Sequence, residues 1–342
     1  MAAGRFPRFA RWGLHVAVAL GLLALVFWQA RVWELDDRYD IAPAFVVGAV
    51  LLNLPMLPLF ALRGRLVLGR LGHRVSLVAL LPVSVLGNVA GALTPGSMGD
   101  LLRTPFLRQR HDIPYADGLA AVLYERGFSL WILALSTGVA TAWAATPTAA
   151  AAAVTAGGVA LALAGPAAGA RLLERLRGVL PADESDEPAS FFARAGRSLG
   201  RSLDSLLLLL RDATATAAVS LLSLAIFALM ALQTWFVVRA LGLDVSLAEA
   251  GTALGASSLA GIATFLPLGL GTLDATLAAL VGAAEGGFET GAAAAVLVRA
   301  TVTLPLGIAA FASYLFLVAE RRAEPRDGLD ADGSGGDRIV QD

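Results

Sequence analysis

The chain has 342 residues, 57% of them hydrophobic and 15% charged, with 26 basic side chains against 27 acidic ones. That balance is far from the soluble norm and points to a lipid bilayer as solvent. Cysteine is absent, which excludes disulfides, thiolate metal sites and thiol nucleophiles, and His15, His73 and His111 have no metal-ligand spacing.

Windows nearly free of charge and long enough to cross about 30 Å of hydrocarbon occur at 13–30, 41–62, 75–94, 118–146, 148–169, 214–240, 249–284 and 292–319. The first follows Arg5, Arg8 and Arg11, as a secretory signal would. Trp28-Gln29-Ala30 lacks a small-x-small cleavage pattern, however, so the window reads as a retained anchor. The window at 249–284 has room for two passes or a hairpin. Between 170 and 213, Arg194, Arg197, Arg201 and Asp204 share one helical face opposite Phe and Leu, which predicts a cytoplasmic amphipathic helix lying on anionic headgroups. The Gly/Asp-rich residues 321–342 predict a disordered acidic tail.

Arginine placement predicts the topology, because short Arg-rich loops face the cytoplasm. The N-terminus, the loops at 63–74, 95–117 and 171–213, and Arg321 and Arg322 carry the excess. If 75–94 crossed completely, the loops at 95–117 and 171–213 would put ten arginines outside. A segment that enters and returns keeps all of them inside, with 31–40 and 285–291 outside and both termini cytoplasmic. The break at Pro95 then belongs to a re-entrant element. Irregular backbone at membrane depth is tolerated only where protein or a wet cavity satisfies it.

A second break, Pro267 to Asp274, resembles the first. Pro95 and Gly99 have the spacing of Pro267 and Gly271, and each break is followed by an arginine deep in an apolar helix, Arg126 after 31 residues and Arg299 after 32. The two halves, 13–146 and 148–319, would each hold two spans, a broken hairpin and an Arg-bearing span. The fold class expected is an all-α polytopic membrane domain over 1–320 with about six full spans, two re-entrant or broken hairpins and an inverted repeat. Paired interrupted segments in inverted halves point to a transporter site near the midplane.

Glu125 and Arg126 lie in AVLYERGFSLWILAL, with Arg126 roughly 12 Å deep at 1.5 Å per residue, and Arg299 is about as deep in AAAAVLVRATVTLPLG. Charges at that depth need partners inside the bundle. Asp100 and Asp274 are better placed than Glu125 to pair with these arginines, since sequence neighbours on a helix do not face each other. Such pairs can simply lock helices together. Two deep guanidinium groups beside two broken loops also suit a phosphate, because a planar fork of donors matches phosphate oxygens and helix N-termini add N–H groups.

Asn88, TPGSMGDLLR (Thr94 to Arg103), YERG, LPLGLGTLDATL and the VLVRA helix, in that order, resemble the lysylphosphatidylglycerol synthase transmembrane-region family of flippase-like proteins, over about residues 10 to 320. The family pattern is close to P-x-x-x-G-E-x-x-R, then E-R, then a Pro/Gly run closed by Glu. The positions that match are Pro95, Gly99, Asp100, Arg103, Glu125, Arg126, Pro267, Gly269, Gly271, Asp274 and Arg299. Asp stands for Glu at 100 and 274, and Leu268 stands where Gly is common.

The resemblance implies a lipid-translocating domain, sometimes joined to a soluble aminoacyl-transfer or glycosyltransferase domain, for which these 342 residues are expected to leave no room. The expected function is a flippase or transporter of a phospholipid or polyprenyl-linked lipid in the cell membrane, with no cofactor, no metal and no nucleic-acid partner. Arg126, Arg299 and Arg103 are the candidate phosphate ligands, and Asp100, Glu125 and Asp274 their charge partners. Asn88, Thr94, Pro95, Gly96, Gly99, Pro267, Gly269 and Gly271 form the hairpin backbones. Two other readings stay open. One is an accessory partner of a glycosyltransferase or aminoacyl-lipid pathway. The other is a membrane transferase or hydrolase using Asp100 or Glu125 as base and Arg126 to hold phosphate.

Overall fold

The computed structural model describes residues 39–146, 148–179, 191–264 and 266–323. The expected anchor at 13–30 lies outside these residues, as does the tail expected at 321–342 except for 321–323, which end the last helix and are not disordered. Every regular element among the described residues is a helix.

Helices α1 (Pro43–Leu51) and α2 (Asn53–Arg70) form one 28-residue apolar rod. Pro55 and Pro58 in its middle lack N–H donors, so the Leu51 and Leu54 carbonyls lose their usual helical partners. At the α1–α2 junction two side-chain amides bond neighbouring carbonyls: Asn53 Nδ2 donates to Val50 O at 2.8 Å and Gln233 Nε2 to Ala49 O at 3.0 Å. The rod runs past the expected end at 62, so Arg63 is a buried helical residue and not part of a loop. The apolar stretch simply continues through Leu66 and Val67.

Helix α3 (Leu77–Leu93) follows, then a 3-10 segment (Pro95–Leu102) and α4 (Arg103–His111). At 17 residues α3 spans about 26 Å, against about 30 Å of hydrocarbon. The chain after Pro95 folds back on α3. A Cβ built on Gly99 would lie 2.0 Å from Ala90 O, one on Gly91 2.9 Å from the Asp100 carboxyl carbon, and one on Gly87 2.2 Å from Arg103 Cδ. Small residues at these positions let the returning strand of the hairpin touch the helix backbone.

Helices α5 (Tyr115–Ala145), α6 (Ala149–Val179), α7 (Phe191–Arg211) and α8 (Ala213–Ala240) come next. The apolar helix α6 extends to Val179, past the expected end of its span, and α7, the amphipathic part of 170–213, packs on α5 and α6. Leu209 is fully buried with Leu107, Tyr124 and Val219, and Ser205 Oγ donates to Asp117 at 2.7 Å. Part of this apolar face is thus buried against other helices, while Leu199 and Leu208 remain exposed.

The window at 249–284 is a hairpin: α9 (Leu247–Ala263), a 3-10 turn (Pro267–Gly269) and α10 (Thr272–Ala284), which packs back on α9. Gly286 and Gly287, at φ 81° and 79°, then reverse the chain into α11 (Gly287–Val298). A five-residue π turn (Arg299–Thr303) joins α11 to α12 (Leu304–Ala323). Pro305 cannot donate to the carbonyl four residues back, that of Thr301. Asn53 Nδ2 donates to it at 2.8 Å. One asparagine therefore ties the junction of the first rod to the π turn of the last.

Among the described residues, five helices are long and apolar enough to cross a bilayer: Pro43–Arg70, Tyr115–Ala145, Ala149–Arg175, Ala213–Ala240 and Gly287–Ala319. Helices α2 and α8 are antiparallel. Arg70 at the end of α2 pairs with Asp212, which caps the start of α8 by accepting from Ala215 N at 2.9 Å, while Ala42 N donates to Ala240 O at the other end.

The loops after these two helices are alike, LGHRVSL at 71–77 and LGLDVSL at 241–247. In each the glycine has positive φ (Gly72 89°, Gly242 76°), the next residue's N–H reaches back five residues (His73 to Leu68, Leu243 to Val238), and the serine caps a 17-residue helix. These are Schellman caps followed by serine N-caps. Because α2 and α8 run in opposite directions, the two loops lie at opposite ends of α8, about 42 Å apart along its 28 residues.

Candidate functional site

The two hairpins converge. Helix α3 packs on α12 and α9 on α5, so the first helix of each hairpin rests on the Arg-bearing helical segment of the other half. The contact of α9 with α5 is close enough that a Cβ on Gly255 would fall 1.9 Å from Thr137 Oγ1. The 3-10 segment after Pro267 also touches α3, and the one after Pro95 touches α9. This crossing brings Arg126 and Arg299, 173 residues apart, to the wall of one cavity of about 350 Å³.

The rest of the wall is mostly apolar, with Phe60, Leu133, Ile226, Phe227 and Leu306 from the spans. Asn88 and Thr94 come from the first hairpin, and Leu266, Leu268 and Gly269 from the second. Besides Asn88 and Thr94, the polar side chains are Ser129, Ser223, Ser258, Thr303 and the three arginines Arg63, Arg126 and Arg299. A largely apolar cavity with a few convergent cations suits a ligand that is part anion and part hydrocarbon.

The charges fall into three arrangements. Arg299 is locked: its Nε and Nη2 donate to both oxygens of Asp274 at 2.9 and 3.1 Å, and Nη2 donates to Leu268 O at 2.9 Å. Asp274, in the first turn of α10, also accepts from Gly271 N at 3.2 Å. The Arg299 side chain is 6% exposed. Arg126 is loose: its one contact among the described residues is Nη1 to Asp100 Oδ2 at 3.4 Å, and its side chain is 29% exposed.

The third arrangement is buried beneath the first hairpin. Arg103 donates from Nη1 and Nη2 to Oε2 and Oε1 of Glu125, both at 3.0 Å. On its other side Glu125 accepts from Arg63 Nε at 3.4 Å, and Arg63 Nη1 donates to Ser129 at 2.7 Å and Ser223 at 3.4 Å. All three side chains are at most 6% exposed.

Arg103, expected as a phosphate ligand, is therefore spent on Glu125 and does not line the cavity. The turn of the 3-10 segment into α4 aims it back under α3 and away from the opening. Arg63 takes the third place among the cations of the wall. Its signal in the sequence was an arginine inside an unbroken apolar run, one helical turn or so before the run ends. Thr94 holds the first break closed, donating to Ala90 O at 3.0 Å and accepting from Gly99 N at 2.5 Å. Asn88 Nδ2 donates to Ser84 O at 2.8 Å, leaving its other amide hydrogen for the cavity it lines.

Leu268 occupies the left-handed region at φ 56°, ψ 10°, followed by Gly269 at φ 59°. A side chain there costs about 1–2 kcal/mol, which explains a glycine preference at this place in the pattern. Leu268→Gly is expected to change stability by less than about 1 kcal/mol, because relief of that strain offsets the extra chain freedom of glycine. Leu268→Val is expected to cost more than about 1 kcal/mol, since a β-branched residue tolerates positive φ worst. Thermal unfolding midpoints of the purified variants check this, and equal midpoints for Val and Leu would refute the strain.

The profile of the Lysylphosphatidylglycerol synthase TM region matches residues 12–310. The chain belongs to this family of multi-pass helical membrane domains. Among curated proteins it is similar to Glycosyltransferase AglD of Haloferax volcanii, at 29% identity over 140 residues. That match covers 39% of this chain and only 22% of the relative. No solved structure matches the chain.

Proposed function

We propose that this chain is a flippase-like transporter that moves a phosphate-headed lipid between the leaflets of the cell membrane, with both termini cytoplasmic. The observation that carries the reading is the single cavity walled by Arg126, Arg299 and both broken hairpins. In this reading the Arg126 guanidinium receives the headgroup phosphate at mid-membrane depth, Arg299 holds the second hairpin at the cavity through Asp274 and Leu268 O, and the acyl chains stay against the apolar wall. Deep cations are expensive in lipid, and a headgroup pathway is a recurrent reason for their presence.

The halves act as an inverted repeat, with the window at 13–30 as a sixth span. The matching LG-x-x-VSL loops at opposite ends of α8 and the exchange of α3 onto α12 and α9 onto α5 support this. Two halves of opposite orientation offer each leaflet an equivalent way in, as alternating access needs. The chain acts in this reading as a carrier with no cofactor and no catalytic step.

Proteoliposomes carrying fluorescent phospholipids test the function. Transfer between leaflets is expected above empty vesicles, and at least about tenfold slower in Arg126→Gln, the loss of one charge-assisted contact in low dielectric. Absence of transfer across a panel of phospholipids and polyprenyl-linked lipids would refute the transport reading. The match to part of a protein named a glycosyltransferase favours a second reading, an accessory membrane partner of such an enzyme. Full support of the partner enzyme by Arg126→Gln, together with no transfer, would select it.

A further inference from the structure

The antiparallel helices α2 and α8 exchange polar contacts at two levels. Arg63 and Asn53 are ten residues apart on α2, as are Ser223 and Gln233 on α8. Arg63 Nη1 donates to Ser223 at 3.4 Å, so Asn53 and Gln233 share a second level, about 15 Å nearer the Pro43 end of the rod. At the first level α2 supplies its own cation to the hydroxyls of Ser129 and Ser223. At the second, both helices present acceptors. Asn53 is 5% exposed and Gln233 0%, and Asn53 Oδ1 and Gln233 Oε1 accept no hydrogen bond from the protein. Exchanging oxygen and nitrogen in either amide would not cure this, because Asn53 Nδ2 is held by Val50 O and Thr301 O and Gln233 Nε2 by Ala49 O. Ala49 and Val50 are consecutive in α1, so the two amides are neighbours. A third acceptor joins them at the π turn. Leu304 N donates to Arg299 O and Pro305 has no N–H, so Ala300 O, next in the chain to Thr301 O, loses both helical donors.

We propose that Asn53 Oδ1, Gln233 Oε1 and Ala300 O bind a sodium ion at this junction, three residues along each helix from the cavity residues Met56 and Met230. A water molecule donates two hydrogens and three acceptors stand here, whereas a cation is met by every lone pair turned toward it. The repeated loops give the same answer. Gly72 and Gly242 lie 170 residues apart, which makes Gln233 the counterpart of Arg63 and Asn53 that of Ser223. Gln thus stands where the first half has a guanidinium, and an ion from solution supplies the charge that Arg63 supplies at the other level. The residue before the deep arginine is Glu125 in the first half and Val298 in the second, so no carboxylate accompanies the site there. Neutral oxygens suit a singly charged ion, since Ca2+ and Mg2+ are taken by carboxylates. Unwound backbone near the midplane is also where transporters hold Na+. The Pro43 end faces outside in the proposed topology, where sodium is plentiful. The inference uses the repeat of the proposed function but not its lipid.

The test is a melting measurement on the full chain in maltoside detergent, in NaCl, KCl or choline chloride at one ionic strength. The midpoint is expected to rise saturably with NaCl, as for a ligand that binds only the folded state, with half-saturation at least about tenfold below that for KCl. Broadening of the sodium NMR line by the unaltered chain is expected as well, and it needs no variant. Asn53→Leu and Gln233→Leu each remove one ligand and are expected to lose the sodium response. Gln233→Lys carries its own cation into the site and is expected to fold without sodium and to ignore it. Equal midpoints in the three salts with no line broadening would overturn the proposal and leave the oxygens to buried water. A preference for KCl, or a Gln233→Lys chain that responds to sodium as the unaltered one does, would overturn it too. Sodium binding without leaflet transfer in proteoliposomes would refute transport and leave the ion site standing, whereas transfer by a chain that binds no sodium would do the reverse.

Discussion

Glu125→Leu is expected to destabilise the protein by about 3–5 kcal/mol, the cost of breaking a buried ion pair by removing one partner. Glu125 is the only carboxylate within contact of both Arg63 and Arg103 among the described residues. Without it, two guanidinium groups remain enclosed by α2, α3, α4 and α5, with Ser129 and Ser223 as neutral acceptors for one of them. Arg103 lies too far down the fold-back of the first hairpin to reach water without unpacking it, since its Cγ and Cδ rest on the Gly87 backbone.

The hairpin itself is therefore expected to come loose, and the denaturant midpoint of helical circular dichroism in detergent to fall accordingly. The triple replacement Arg63→Met, Glu125→Leu, Arg103→Met is expected to recover most of the loss, because an apolar set of similar volume has no charge to desolvate. A midpoint for Glu125→Leu within experimental error of the unaltered protein, or a triple variant less stable than the single, would show that the cluster does not hold the hairpin.

The second large effect falls on Gly99. Its Cβ would lie 2.0 Å from Ala90 O and 2.3 Å from Ala90 C, so the obstruction is backbone, which no rotamer change can clear. Gly99→Ala is expected to push the 3-10 segment off α3, cost about 1–3 kcal/mol as overpacking, and reduce leaflet transfer more than it reduces stability. Displacement would also carry Asp100 away from Arg126, since Asp100 follows directly in the chain and rests on Gly91.

Gly127→Ala supplies the control. It neighbours Arg126 on α5, has nothing within 4 Å of its would-be Cβ, and is expected to be neutral or to stabilise by up to about 1 kcal/mol through helix propensity. Melting temperature and transfer rate measured side by side decide the matter. If Gly99→Ala melts and transports like Gly127→Ala, the close fold-back does not exist in the membrane.

Much of this architecture was readable from residues alone. The span windows were visible because bilayer thickness sets a minimum apolar length, and the two breaks because proline and glycine cannot continue a helix unnoticed. The arginine count already argued that the segment from 75 should return to its own side, and α3 does fold back at Pro95. The repeated LG-x-x-VSL loops were equally available and more specific than the proline spacing, since they encode a Schellman glycine and a serine cap in one phrase.

The sequence by itself determined that the chain is a helical membrane domain with two interrupted segments and arginines at depth, because these follow from local chemistry: apolar length, missing N–H donors, unaffordable charge. It also narrowed the partners of the deep arginines to nearby aspartates. Only the tertiary structure decided which carboxylate meets which cation, putting Asp100 on Arg126, Asp274 on Arg299, and Glu125 between Arg103 and Arg63. Those pairings join residues 22 to 62 positions apart and depend on which helix faces pack together, which no local spacing encodes. The same packing took Arg103 out of the cavity and brought Arg63 into its wall. The functional question thereby turned from three equivalent arginines to one, Arg126, whose donors the protein leaves unspent.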